Sequence, residues 1–157
     1  MNRKQVLFLD DDHKRIEQIR LRLAELACDL TVVETADECI DRLRRNSYDL
    51  VLLDHDLGGE IFCDSSREDC GMEVVRWLIK NGGEHGEFIV HTMNAIAAAG
   101  MYLELNARGY RVRQAPFGSS QFYGYLYRAL AVAPPVPEKL SLSDRLGRYL
   151  RSLRMRR

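Results

Sequence analysis

Residues 48–58 read YDLVLLDHDLG, a short apolar run that ends abruptly in acidic residues. A continuous apolar segment of this length is typical of a β-strand that is covered on both faces, as strands are in a parallel sheet. Carboxylates begin at Asp54, where the strand is expected to stop, and a polar, glycine-rich loop follows over residues 58–71. The segment therefore predicts a buried parallel strand that carries carboxylates at its carboxyl end.

Similar apolar runs recur along the chain, and a stretch with helical periodicity follows each of them. The predicted strands cover residues 5–9, 30–34, 48–53, 88–92 and 110–114, and the predicted helices cover residues 14–27, 35–46, 72–81, 95–105 and 119–132. Strands that alternate with helices indicate βαβ units. With right-handed crossovers they predict an α/β fold with a doubly wound, five-stranded parallel (βα)5 sheet, which binds ligands at the carboxyl ends of its strands.

The composition is that of a folded soluble protein and excludes several other classes. Of 157 residues, 46% are hydrophobic and 29% are charged, and the formal net charge is +0. This balance excludes general disorder and fibrous repeats, and no apolar run is long enough to span a bilayer. No secretory signal is visible before the first strand, so the four cysteines are interpreted as reduced thiols of a cytoplasmic protein.

The neutral total conceals an acidic body and a basic tail. From Glu138 onward there are seven basic and two acidic residues, which leaves the preceding residues with an excess of five acids. We predict a domain over residues 1–132, a proline-rich linker over 133–140 and an amphipathic basic helix over 141–157. The leucine stripe and the arginines of this helix favour contact with a partner protein over contact with nucleic acid, and an anionic membrane surface is a third alternative.

Acidic side chains follow two of the predicted strands directly. Asp10, Asp11 and Asp12 come after the first strand, and Asp54 and Asp56 come after the third. Because neighbouring parallel strands end at the same edge of the sheet, we expect several of these carboxylates to lie close together. A group of like charges is costly without a cation, and oxygen-only ligands favour Mg²⁺ or Mn²⁺. The alternative is that one or two of these acids only cap the helices that follow them.

The segments VLFLDDD, YDLVLLDHDLG, IVHT and APF, in this order on this strand pattern, resemble the receiver domain of bacterial response regulators. The resemblance covers about residues 4–132 and implies a flavodoxin-like receiver fold. It also implies that a histidine kinase or a small phosphodonor phosphorylates the domain in a phosphorelay. The face formed by the fifth strand and the helix after it would then contact a partner protein or a second copy in a homodimer.

The same resemblance assigns roles to individual residues. It implies that Asp10 and Asp11 bind the divalent metal, together with the main-chain carbonyl of Asp56. Asp54 would be the phospho-acceptor and a further metal ligand, and Thr92 would contact the phosphoryl group. A carboxylate nucleophile beside a metal that neutralises the transferring oxygens is consistent with phosphoryl transfer.

Two features depart from the receiver pattern. Receivers carry a lysine just before the proline of the fifth strand, and this position holds Ala115. Neither Lys80 nor Lys139 lies where it would replace that lysine. In addition, the loop after the acceptor aspartate is unusually long, and a loop of this length in a compact domain is usually functional.

The departures lead to a narrower resemblance. LDHDLGGE, CGMEVVRWL and HTMN are similar to segments of an atypical subfamily, the cyclic-phosphate-processing receivers. This similarity implies that His55, His91, Thr92 and Asn94 belong to the site, with the two imidazoles as general acid and base. Alternation along a strand places His91 on the opposite face from Thr92, so His91 reaches the site only if the strand ends or bends there.

Three functions follow from these patterns, and whether the protein is an enzyme is left open. The leading prediction is a receiver that binds Mg²⁺ and accepts a phosphoryl group on Asp54. The alternative is a metal-dependent phosphoesterase that processes cyclic phosphate ends of nucleotides or RNA. A third hypothesis is a degenerate receiver that serves as a protein docking module.

Overall fold

The computed structural model describes residues 3–131. They form five strands, β1 (Lys4–Leu9), β2 (Cys28–Val33), β3 (Leu50–Leu53), β4 (Glu87–Val90) and β5 (Arg111–Gln114), and five helices, α1 (His13–Leu23), α2 (Ala36–Arg45), α3 (Gly71–Asn81), α4 (Ala95–Ala107) and α5 (Ser120–Ala129). All neighbouring strands are parallel, in the order β2-β1-β3-β4-β5. The predicted α/β fold is therefore confirmed, whereas the predicted linker and basic helix lie outside the described residues.

The sheet separates two apolar cores, which explains why its central strands are apolar without interruption. Leu7 and Leu9 point to the side covered by α2, α3 and α4. Val6 and Phe8 point to the opposite side, against α1 and α5. Because both faces are covered, a central strand has no solvent-facing positions for polar residues. The first polar residues after β1 and β3 therefore lie at the carboxyl edge of the sheet.

Several element boundaries differ from those predicted, and one difference concerns the site. The first helix ends at Leu23, before the predicted residue 27, because residues 24–27 turn the chain so that Cys28 pairs with Lys4. β4 ends at Val90, two residues earlier than predicted. His91 and Thr92 thus lie beyond the ladder of β4, at the start of the segment that leads into α4.

Two expectations from the sequence concern the cysteines and the helices, namely that the thiols are reduced and that no segment spans a bilayer. All four cysteines are free and buried. Within residues 3–131, no helix has the length and apolar character that a bilayer crossing requires.

Candidate functional site

Three carboxylates converge at the carboxyl edge of β1 and β3. Asp10 follows β1 and Asp54 follows β3, and the main-chain N–H of Asp54 donates to the carbonyl of Leu9 at 3.0 Å. Oxygens of Asp10, Asp11 and Asp54 all lie within 4.8 Å of one another. Asp10 and Asp54 are buried, whereas Asp11 is partly exposed. The fold thus brings together the three side-chain ligands that the sequence predicted for a metal.

The electrostatics of this cluster favour a cation. Burial raises the pKa of Asp10 to about 7, and the neighbouring Asp54 carboxylate adds to the shift. Burial also raises the pKa of Asp54, although Arg15 and the Thr92 hydroxyl act in the opposite direction. Asp10 Oδ2 is buried and has no hydrogen-bond partner among the described residues. Buried carboxylates of this kind need neutralisation, and a set of oxygen donors suits a hard divalent cation such as Mg²⁺ or Mn²⁺.

The cluster opens into a cavity of about 440 Å³, which is large enough for a phosphoryl group with part of its donor. Thr92 lines this cavity together with Asp54. The full lining comprises Asp11, Asp12, Arg15, Asp54, Asp56, Gly59, Glu60, Ile61, Thr92 and Met93.

An arginine that the sequence analysis missed lies inside this site. The Arg15 guanidinium, on the first turn of α1, contacts Asp54 Oδ2 at 2.9 Å and Asp10 Oδ1 at 3.1 Å through the same terminal nitrogen. Its side chain is 21% exposed. Asp12 caps α1, and Arg15 follows it by three positions. A basic residue at this spacing, shortly after the acidic residues that follow β1, is the sequence signal that would have identified it.

Ala115 contributes no polar group to the site. Its side chain is 1% exposed and belongs to the apolar core between the sheet and the helices α1 and α5. The main chain at this position continues the sheet, since its N–H donates to the carbonyl of Val90 at 3.1 Å. Within the described part of the chain, Arg15 is consequently the one basic side chain that lines the cavity.

His55 does not line the cavity, because it points into the loop that follows β3. Its ring is fully buried, with Nδ1 2.6 Å from Asp56 Oδ1 and Nε2 2.9 Å from the Ser65 hydroxyl. Asp56 in turn accepts the main-chain N–H groups of Phe62 and Cys63. In this geometry His55 holds the loop against the end of β3, and its acid–base role stays a prediction.

His91 is also fully buried, beneath the acidic cluster. Its ring packs against Phe8, Phe117 and Phe122, with centroids 5.0, 5.7 and 5.8 Å away. Nδ1 lies 3.8 Å from Asp10 Oδ2, and neither ring nitrogen has a hydrogen-bond partner among the described residues. Burial lowers the pKa of His91 to about 3, so the ring is neutral near pH 7. The strand ends before His91 as required, but the side chain turns into the core and does not line the cavity.

Asn94 connects the fourth strand to the loop. Its side-chain oxygen caps α4 by accepting the N–H of Ala97 at 3.1 Å, and its amide nitrogen donates to Asp56 at 3.3 Å. The Thr92 hydroxyl accepts the Asn94 N–H at 3.2 Å, which fixes the turn between β4 and α4. Asn94 therefore acts on the geometry of Thr92 and Asp56 and does not itself line the cavity.

The long loop over residues 57–70 is held by polar contacts on both sides. The Gly59 N–H donates to the Asp11 carboxylate at 2.6 Å, so the loop begins against one member of the acidic cluster. Arg67 forms ion pairs with Glu60 and Asp69. From α3, Arg76 donates to the carbonyls of Ser65 and Arg67. The loop consequently forms one wall of the cavity.

Comparison with known proteins gives the same fold and a more specific family. The family model of the cyclic-phosphate processing receiver domain matches residues 5–107. Among solved structures, the non-phosphorylated HemR receiver domain from Leptospira biflexa is similar with a TM-score of 0.62, 21% identity and coverage of 85% of this chain and 99% of that one. The response regulator TrrA from Thermotoga maritima, in complex with Mg²⁺ and BeF, is similar with a TM-score of 0.59 and 19% identity. The alignment covers 80% of this chain and 98% of that one. No curated protein matches the sequence.

Proposed function

This chain belongs to the family of cyclic-phosphate processing receiver domains, and we propose that its Asp54 carboxylate accepts a phosphoryl group while Asp10, Asp11 and Asp54 hold Mg²⁺ or Mn²⁺. The observation that supports this proposal is the acidic cluster, whose oxygens lie within 4.8 Å of one another and whose members Asp11 and Asp54 line an open cavity. A cation bound there would neutralise the charge on the carboxylates and on the transferring oxygens.

The proposed step is an in-line transfer from a phosphohistidine of a histidine kinase or from a small acyl phosphate. An oxygen of Asp54 attacks phosphorus, a new O–P bond forms, and the bond from phosphorus to the donor nitrogen or oxygen breaks. The donor leaves with the electron pair of that bond. The Thr92 hydroxyl, which lines the same cavity, donates to a phosphoryl oxygen.

Incubation with Mg²⁺ and acetyl phosphate, followed by intact mass spectrometry, tests this proposal. We expect the wild type to gain the mass of one phosphoryl group and Asp54→Asn to gain none, because the amide is not a nucleophile. Asp49→Asn is a matched control, since Asp49 precedes β3 at the opposite end of the strand. A wild type that stays unmodified, or an Asp54→Asn protein that is modified equally, contradicts the proposal.

A second candidate function is hydrolysis of cyclic phosphates on nucleotides or RNA ends. Two observations favour it: the family match, and the ordered loop that walls the cavity through Asp11 and Gly59. In the reaction, water forms a bond to phosphorus, one ribose O–P bond breaks, and the released hydroxyl takes the proton. His55 would act here by holding the loop, because its ring does not line the cavity.

Turnover of 2′,3′-cyclic nucleotides in the presence of Mg²⁺ separates this candidate from the first. We expect hydrolysis that Asp10→Asn abolishes and that His55→Ala lowers by about tenfold or more, since positioning of a wall residue has effects of that size. A wild type that does not hydrolyse these nucleotides contradicts the candidate. Hydrolysis that is unchanged in the His55→Ala and His91→Ala proteins would instead exclude a role for either histidine in the reaction. If no divalent metal binds at millimolar concentration, the docking-module hypothesis becomes the better one.

A further inference from the structure

We propose that Arg15 supplies the second positive charge of the site. Its guanidinium neutralises Asp10 and Asp54 before the reaction and pairs with the phosphoryl oxygens once Asp54 carries the group. This inference rests on the proposed phosphoryl transfer and adds a residue that neither the family description nor the receiver motifs assign.

The position of Arg15 is the first argument. Its terminal nitrogen lies 2.9 Å from Asp54 Oδ2, the oxygen of the proposed acceptor, and 3.1 Å from Asp10 Oδ1. The side chain lines the same cavity as Thr92. A phosphoryl group attached to an Asp54 oxygen is thus within reach of this guanidinium without movement of α1.

The donor capacity of Arg15 is the second argument. Its Nε–H is buried and has no hydrogen-bond partner among the described residues, although Asp12 lies 3.7 Å away. A guanidinium has five N–H donors in a planar fork, which matches the oxygens of a phosphoryl group. The arginine therefore has an N–H donor that no described residue uses, and its guanidinium carbon lies 6.0 Å from the centroid of the Phe117 ring.

The charge balance of the cavity is the third argument. Three carboxylates form the cluster, and the lining adds Asp12, Asp56 and Glu60. A phosphoryl group brings up to two more negative charges. A divalent cation offsets only part of this total. Since Ala115 is apolar and buried, Arg15 is the cation that the lining supplies within the described residues.

Arg15 and a divalent cation compete for the same carboxylates. Removal of Arg15 should therefore change the affinity for Mg²⁺ and the affinity for a phosphoryl analogue in opposite directions. Replacement by glutamine removes the competitor, so the affinity for Mg²⁺ should rise about three- to tenfold. The affinity for a phosphoryl analogue should fall about 10- to 100-fold, because a charge-assisted hydrogen bond to the anion is lost. An arginine that only packs against Phe117 would leave binding of the anion unchanged.

Isothermal titration calorimetry on the full chain measures both effects. MgCl₂ is titrated first into metal-free protein, and beryllofluoride is then titrated into Mg²⁺-saturated protein. Arg15→Lys keeps the charge and should recover part of the beryllofluoride affinity, and it carries the test if the glutamine variant does not fold by circular dichroism. Lys14→Gln is the matched control, since this exposed lysine neighbours Arg15 on α1 and does not line the cavity. We expect both of its affinities to stay within about twofold of the wild type.

The outcomes separate this inference from the function on which it rests. A wild type that binds Mg²⁺ but no beryllofluoride contradicts the proposed phosphoryl transfer, and the inference with it. If the wild type and Arg15→Gln bind beryllofluoride equally tightly, the inference is contradicted and the proposed phosphoryl transfer is not. Weaker binding of Mg²⁺ to Arg15→Gln also overturns it, because Arg15 would then support the metal site and not compete with the metal.

Discussion

Replacement of Asp10 by asparagine is expected to stabilise the metal-free protein at pH 8 and to weaken its binding of Mg²⁺ strongly. Asp10 is fully buried, its Oδ2 has no hydrogen-bond partner among the described residues, and the cost of burial together with the neighbouring Asp54 charge outweighs the attraction of Arg15. Asparagine keeps the shape and removes the charge. The gain in the free energy of unfolding should be roughly 1–3 kcal/mol, and the affinity for Mg²⁺ should fall roughly 100-fold or more.

The stabilisation should depend on pH in a defined direction. Burial raises the pKa of Asp10 to about 7 in the folded protein, above its ordinary value of 3.8. The folded state therefore binds the proton more tightly than the unfolded state, and this contribution to stability is lost as the pH rises through 7. At pH 5 the wild-type Asp10 is largely protonated and neutral, so asparagine should confer a much smaller gain than at pH 8.

Urea denaturation in EDTA at pH 5 and pH 8, together with titration of Mg²⁺, measures these effects. Asp29→Asn is a suitable control, since Asp29 lies in the edge strand β2 and its carboxylate is exposed. An Asp10→Asn protein that is less stable than the wild type at pH 8 would show that the carboxylate is not strained by its burial. If Asp10→Asn binds Mg²⁺ as tightly as the wild type does, Asp10 is not a ligand of the metal.

Replacement of Gly71 by alanine is expected to cause a large loss of stability. A Cβ at this position would lie 1.9 Å from the carbonyl oxygen of Asp54 and 2.9 Å from the Cα of His55. Both are main-chain atoms, so α3 would have to move away from the end of β3. We expect a loss of about 3 kcal/mol or more in the free energy of unfolding, together with weaker Mg²⁺ binding, because the backbone of Asp54 must shift.

Two other glycines provide matched controls for this prediction. Gly100 lies within α4, where a Cβ would meet only the flexible end of Met72 at 3.3 Å, so Gly100→Ala should change stability by less than about 1 kcal/mol. Gly86→Ala would place a Cβ 2.0 Å from the carbonyl oxygen of Asp49, far from the acidic cluster. It should destabilise the protein without altering the Mg²⁺ affinity of the folded fraction. A Gly71→Ala protein as stable as Gly100→Ala would contradict the close approach of α3 to Asp54.

The sheet and its acidic edge were predictable because they follow from short-range rules. An apolar run such as 50–53 indicates a strand that is covered on both faces, and alternation with helices indicates a parallel sheet. In such a sheet the residues that follow adjacent strands must meet, which is why Asp10 and Asp54 were expected to lie together. The ends of β2 and β4 were predicted less well, because strand pairing and turns decide where a strand stops.

The histidines and Arg15 illustrate what these rules do not determine. The resemblance to the cyclic-phosphate-processing receivers implied that His55 and His91 belong to the site. His55 instead bonds to Asp56 and Ser65, and His91 packs against aromatic rings in the core. The direction of a side chain just beyond a strand depends on the path of the next loop, and neither periodicity nor spacing specifies that path.

The sequence by itself therefore determined the fold class, the order of the elements and the edge at which the carboxylates gather. Only the tertiary structure decided which side chains share the cavity with them. It excluded both imidazoles from the lining, and it placed Arg15 between Asp10 and Asp54. The reason is physical. The apolar or polar character of each residue in a strand follows from its burial and is therefore visible in the sequence. The contacts of a long helical side chain such as Arg15 involve groups that are distant in the sequence and become neighbours only when the elements pack together.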